Sequence, residues 1–190
     1  MAVNITWSAT QNGVAITSLD HGSGSNGDTV SNGGNGTAGV EVWLRHDGAN
    51  AITNAGFYLG QKSGTYTGAV SAAADLAEML AWGDGATAGA FGGFQINMEK
   101  TGGTPYSSGN WPSVGTKTPT LGSAFYTGVG DSIANKVLLK TSMGASVSGT
   151  GVLDAGGTAC AFKCRVQIPT DEDTVGIRQF DQKLRYTYTS

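Results

Sequence analysis

Apolar and polar residues alternate along much of this chain, and the longest unbroken alternation runs from Cys160 to Ile168. Cys160, Phe162, Cys164, Val166 and Ile168 fall on one side of an extended backbone. Ala161, Lys163, Arg165 and Gln167 fall on the other, the period of two that marks a strand with one buried face. Pro169 cannot donate to a ladder and ends the strand. After a polar, acidic turn from Thr170 to Thr174, Phe180, Leu184, Tyr186 and Tyr188 share one parity, with Asp181, Lys183, Arg185 and Thr187 on the other. The pattern predicts a long antiparallel hairpin that closes the domain. Val175 and Ile177 sit on the opposite parity to Phe180, so burying all three requires a bulge near Gly176.

The same alternation predicts strands at Val3–Ser8, Val40–Arg45 and Phe94–Met98; Ile52–Leu59 reads as a further strand or an irregular edge, and Phe125–Thr127 and Lys136–Lys140 read as strands between Gly-rich turns. Asn12-Gly13 is a hairpin turn signal, with Val14 and Ile16 on the return, and Asp47-Gly48 marks another turn. One segment has helical spacing instead. Ser71 can cap it, Ala72, Leu76, Met79 and Leu80 form an apolar stripe, and Gly83 ends it. So short a helix is expected to plug one end of a β structure. Residues 20–39 are dominated by Gly, Ser, Asn and Thr and read as an exposed loop or arm. Within it, Gly33-Gly34-Asn35-Gly36 lacks the aspartate and the second copy that a calcium-binding repeat needs. Residues 101–120 read as a second long loop, holding Pro105, Trp111, Pro112 and Pro119, and Gly149–Thr158 as a third. Eight to ten short strands with uneven connections and no fixed repeat predict an all-β fold. The expected form is an antiparallel β-sandwich, jelly-roll or immunoglobulin-like, with one short helix and long Gly-rich loops, over residues 1–190 as a single domain.

Composition narrows the class. Leu, Ile, Val and Phe make up only 36 of 190 residues, and glycine alone makes up 31. A formal net charge of −3 argues against a disordered chain, so the expectation is a folded protein with a thin core. No signal-peptide pattern opens the sequence and no run of about 18 apolar residues occurs, so neither export nor a membrane partner is expected. Mild acidity without a basic run argues against nucleic acid. Cys160 and Cys164, roughly 13 Å apart if extended, are expected to be buried free thiols, as in a reducing cytoplasm.

Candidate chemistry is sparse. His21 and His46 lie beside Asp20 and Asp47 in or next to expected turns, and no nucleophile elbow, phosphate loop or dinucleotide fingerprint is present. Asp171, Glu172 and Asp173 read as a solvated turn. No enzyme activity, cofactor or metal is expected. Binding is easier to motivate. Trp7 and Trp82 are expected to be buried. Trp43 falls on the outward parity of its strand, and Tyr106 and Trp111 lie in a proline-bearing loop, as aromatics of an interface or a sugar platform would. Lys163, Arg165, Lys183 and Arg185 occupy the outward faces of the expected closing hairpin. If its strands pair, these four form a basic stripe for an acidic partner surface.

The segment Cys164 to Pro169, with Gly176 to Tyr188, resembles the end of immunoglobulin-like or jelly-roll virion proteins of tailed bacteriophages. The stretch from Gly56-Phe57-Tyr58-Leu59-Gly60 through Asp75 to Gly83 resembles the same type. About half the chain is covered, without a diagnostic motif. The resemblance implies a non-enzymatic virion component, a capsid decoration or cement protein, or else a neck, baseplate or tail part. The implied partners are the major capsid protein or other virion proteins and further copies of the chain, with a trimer as one option. The implied place is the virion, after assembly in the host bacterial cytoplasm. A carbohydrate-binding or host-recognition module is the alternative from another class.

Overall fold

A computed structural model describes residues 3–10, 13–31, 34–35, 38–47, 52–83, 92–97, 111, 113–115, 125–127, 137–138, 160–172 and 175–188. Among the described residues the protein is all-β apart from one helix. Its strands are β1 (Ile5–Ser8), β2 (Thr29–Ser31), β3 (Gly34–Asn35), β4 (Val40–His46), β5 (Ile52–Gln61), β6 (Gly93–Asn97), β7 (Ser113–Gly115), β8 (Phe125–Thr127), β9 (Val137–Leu138), β10 (Cys160–Gln167) and β11 (Phe180–Tyr188), with α1 (Ala72–Gly83) between β5 and β6. Sheet A has the order β1-β4-β10-β6-β7-β8, with β2 on β10 and β3 on β2; sheet B has the order β11-β5-β9. Among the described residues every strand pairing is antiparallel except β7 with β8.

The closing hairpin does not form. β10 takes β4, β6 and β2 as neighbours, while β11 pairs with β5 in the other sheet. The two strands therefore face each other through the core. Alternation fixes which face of a strand is buried but not which neighbour supplies its hydrogen bonds. The inward parity itself is correct: Phe162, Cys164 and Val166 are buried, and Phe180, Leu184, Tyr186 and Tyr188 pack against the same core. Val175 and Ile177 are 96% and 60% exposed, so no bulge is needed beside Gly176. The irregularity in β11 falls between Arg185 and Thr187.

The expected loop over 20–39 is partly sheet. Val30, its one clearly apolar residue after Leu19, is 3% exposed and opposes Val166. The Gly27 N–H donates to the Ile168 carbonyl at 3.0 Å, and the Ile168 N–H donates to that of Asp28 at 2.9 Å, tying the segment to the end of β10. Gly27 itself has φ 84°, which suits a residue without a Cβ. The expected loop over 101–120 likewise contributes β7. The chain does reverse between Ser8 and Ala15, which form an antiparallel bridge: the Gly13 N–H donates to the Thr10 carbonyl at 2.9 Å and the Ile16 N–H to that of Trp7 at 2.8 Å.

The helix follows its sequence pattern. The Ser71 hydroxyl accepts the Ala74 N–H at 3.2 Å, a cap worth roughly 1 kcal/mol. Met79, Leu80 and Trp82 are buried, and the helix touches β6 and β7 of sheet A and β5 and β11 of sheet B. It thereby closes one end between the sheets. Gly83 is tight against the Val114 carbonyl, leaving no room for a Cβ.

Candidate interaction surface

The two outward basic pairs belong to different sheets, so the predicted four-residue stripe does not exist. Lys163 and Arg165 sit on β10, Lys183 and Arg185 on β11. The Arg185 side chain lies outside the described residues, as does Tyr106. Trp43 is no platform either: it is 7% exposed, between Ser8 of β1 and Ala161 of β10. Outward parity does not mean exposure where the second face is also covered. β4 and β6 are such strands: Trp43 on one, Gln95 and Asn97 on the other, are all buried although they lie on the outward parity.

Two predicted interface residues do meet. The Arg165 guanidinium lies 4.0 Å from the centre of the Trp111 ring, a cation–π contact. Its Nε donates to Gln95 Oε1 at 2.7 Å, and Gln95 Nε2 donates to Gln167 Oε1 at 3.0 Å. Gly39, with φ 72°, leaves the space that the Trp111 ring occupies. Burial lowers the Arg165 pKa to about 10, a guanidinium still charged at neutral pH. Both residues are half-buried, so the stack fixes the surface of sheet A more than it offers an open platform.

A second cluster was not visible in the sequence. Arg178, just before β11, is encircled by Asp75 and Glu78 of α1 and by Glu172. Its Nε is 2.5 Å from Glu78 Oε2 and 3.8 Å from Asp75 Oδ1, and Nη2 is 3.5 Å from Glu172 Oε1. Asp75 is fully buried; its Oδ2 accepts from Tyr66 Oη at 2.8 Å and from the Gln179 N–H at 2.9 Å. Burial alone would lower the Arg178 pKa, but the bonds and charges of the three carboxylates outweigh it and the net shift is upward. Desolvation, then Asp75, pushes the Tyr66 hydroxyl up. Glu172, read from sequence as part of a solvated turn, is thus an ion-pair partner. The network locks the 66–70 turn to the 175–179 segment, where Gln179 Oε1 also accepts the Thr67 N–H at 2.8 Å and the Ala69 N–H meets the Ile177 carbonyl at 3.4 Å. On this frame Val70, Val175 and Ile177 stand exposed.

The third feature is an open cleft of about 450 Å³ between β1, at the edge of sheet A, and β11, at the edge of sheet B. Trp7, Tyr58, Tyr186, Gln182 and Lys183 are among the residues lining it. Trp7 stands edge-on to Phe162 at 6.4 Å, and Tyr186 Oη donates to the Val3 carbonyl at 3.3 Å. Gln182 touches the buried Cys164 thiol, while its Oε1 has no hydrogen-bond partner. The parity rule assigned Tyr186 to the core and gave no sign of a gap, because the gap depends on how far apart two edge strands lie.

His46 is 3% exposed at the end of β4. His21 is half-buried with its ring 6.0 Å from Phe94, its two ring nitrogens are out of solvent without a hydrogen-bond partner, and desolvation lowers its pKa to about 4. Among the described residues no three His, Cys, Asp or Glu side chains are grouped to hold a metal ion, and no helix is long and apolar enough to cross a membrane. Cys164 is a free, buried thiol, as expected; the Cys160 side chain lies outside the described residues. Compared with protein-family models, curated proteins and solved structures, the chain finds no match in any of the three.

Proposed function

We propose that this chain is a non-enzymatic structural protein of a tailed-bacteriophage virion, a decoration or cement protein that lies against the outer shell and contacts the major capsid protein. The resemblance of its closing segments to such proteins motivates the role. The structural observation that supports a contact role is the exposed trio Val70, Val175 and Ile177 on a frame held by a buried ion-pair network. Aliphatic groups held out in water gain from being covered. Repetition of such contacts over many subunits supplies avidity, so each contact can be weak. No cofactor, nucleic acid or membrane enters this role. A neck, baseplate or tail position is the alternative within the same class. The test is particle purification. Wild-type protein is expected to travel with virions, and a Val70→Asp/Ile177→Asp variant to lose occupancy while remaining folded. A protein never recovered on particles rules the reading out.

The cleft favours a second reading, a carbohydrate-binding module. Trp7, Tyr58 and Tyr186 supply aromatic surface, and Lys183 supplies a polar group for hydroxyls. Sugar-dependent binding on a glycan array, lost in a folded Trp7→Ala variant, would favour it over the first.

A further inference from the structure

We infer that two copies of this chain pair antiparallel through the free edge of β11. The two sheets are unequal. Among the described residues sheet A runs through six strands on its main path, whereas sheet B has three, of which β9 meets β5 at Gly56–Leu138 and Phe57–Val137. β11 is terminal in sheet B, and among the described residues it pairs on one side only. Gln182, Lys183, Leu184 and Tyr186 of that strand line the open cleft. A strand paired on one side leaves a row of N–H and C=O groups that another strand can take up.

The charges on β11 select the occupant. In an antiparallel pair related by a two-fold axis, one residue faces its own copy, and side chains directly opposite lie on the same face. With Gln182 at the axis, Asp181 faces the partner's Lys183 and Lys183 faces the partner's Asp181, while Phe180 faces the partner's Leu184. With Lys183 at the axis, Asp181 faces the partner's Arg185, but Lys183 opposes itself at the centre. With Leu184 at the axis, Lys183 opposes Arg185 twice. Like charges directly opposite destabilise a ladder, so the register centred on Gln182 wins. The irregularity between Arg185 and Thr187 also ends the regular stretch on that side, leaving Phe180–Arg185 around this centre.

Both charges are already positioned. Ser63 donates to Asp181 Oδ2 from its hydroxyl at 2.5 Å and from its N–H at 3.1 Å, and Lys62 Nζ is 3.9 Å from Oδ1. The Lys183 stem lies across Gly60, in space that a Cβ would fill. Charged edge strands normally repel addition. Here the sign alternates, so an antiparallel copy meets opposite charges whereas an unrelated strand would bury them unpaired. The inference does not rest on the virion reading, because it concerns the free protein.

Sedimentation or light scattering over a concentration series tests it. Wild-type protein is expected to dimerise with rising concentration. Asp181→Lys and Lys183→Asp should each weaken the dimer by about tenfold or more. An equimolar mixture of the two variants should recover it, because every direct pair is then opposite in sign. A wild-type monomer up to its solubility limit, variants that dimerise as well as wild type, or a mixture that stays monomeric each overturns the inference. Asp181 also binds Ser63, so circular dichroism must confirm that its variant folds. Should that variant unfold, Asp181→Cys and Lys183→Cys chains, mixed in a Cys160→Ser background, are expected to cross-link under oxidation. Directly opposite residues lie about 5 Å apart, within disulfide reach. Folded chains that fail to cross-link count equally against it.

Discussion

Arg178 Nε lies 2.5 Å from Glu78 Oε2 and 3.8 Å from Asp75 Oδ1, so one guanidinium from the strand that enters sheet B is held by two carboxylates of the helix. Glu172 adds a third acid at 3.5 Å. Replacing Arg178 with Met keeps much of the stem but leaves the fully buried Asp75 without its counter-charge. Removing one partner of a buried pair costs about 3–5 kcal/mol. Urea unfolding is expected to show a loss of that order, and the 66–70 turn should lose hydrogen-exchange protection first.

His21 makes stability depend on pH. Its pKa falls from 6.5 to about 4 in the folded protein because burial disfavours the charged ring, with Asp20 opposing. Between those values the unfolded chain binds a proton that the folded chain excludes. Stability from this residue is therefore complete above 6.5 and is lost progressively as pH falls toward 4, by at most about 3 kcal/mol. Urea midpoints measured at pH 7 and pH 4.5 should show the loss, and His21→Phe should remove most of it.

The Arg165–Trp111 stack should behave as a coupled pair. A double-mutant cycle with Arg165→Met and Trp111→Leu is expected to give a coupling of about 1 kcal/mol. Gly39→Ala, which places a Cβ against the Trp111 ring at positive φ, should shift tryptophan fluorescence and lower stability by about 1 kcal/mol or more.

Cys164 is fully buried, and desolvation raises its pKa far above the ordinary thiol range, with Gln182 opposing slightly. A thiol so protected is inert while the protein is folded. In a Cys160→Ser background, a thiol reagent should label Cys164 only at the rate of unfolding, and at once in denaturant.

The sequence alone was enough to determine the all-β class, the capped helix over Ala72–Gly83, and the inward parity of Phe162, Cys164, Val166, Phe180 and Leu184. Each of these is a local property: periodicity and capping act within a few residues of chain. Tertiary structure decided the rest. It sent β10 and β11 into different sheets, because alternation names a face and not a neighbour. It buried Trp43 and Gln95, because coverage of a strand's second face comes from elsewhere in the chain. It drew Glu172 to Arg178 and turned part of a polar loop into β2, because one apolar residue, Val30, could be covered only against Val166. The cleft between β1 and β11 is the furthest from the sequence, since it exists only in the distance between edge strands of different sheets.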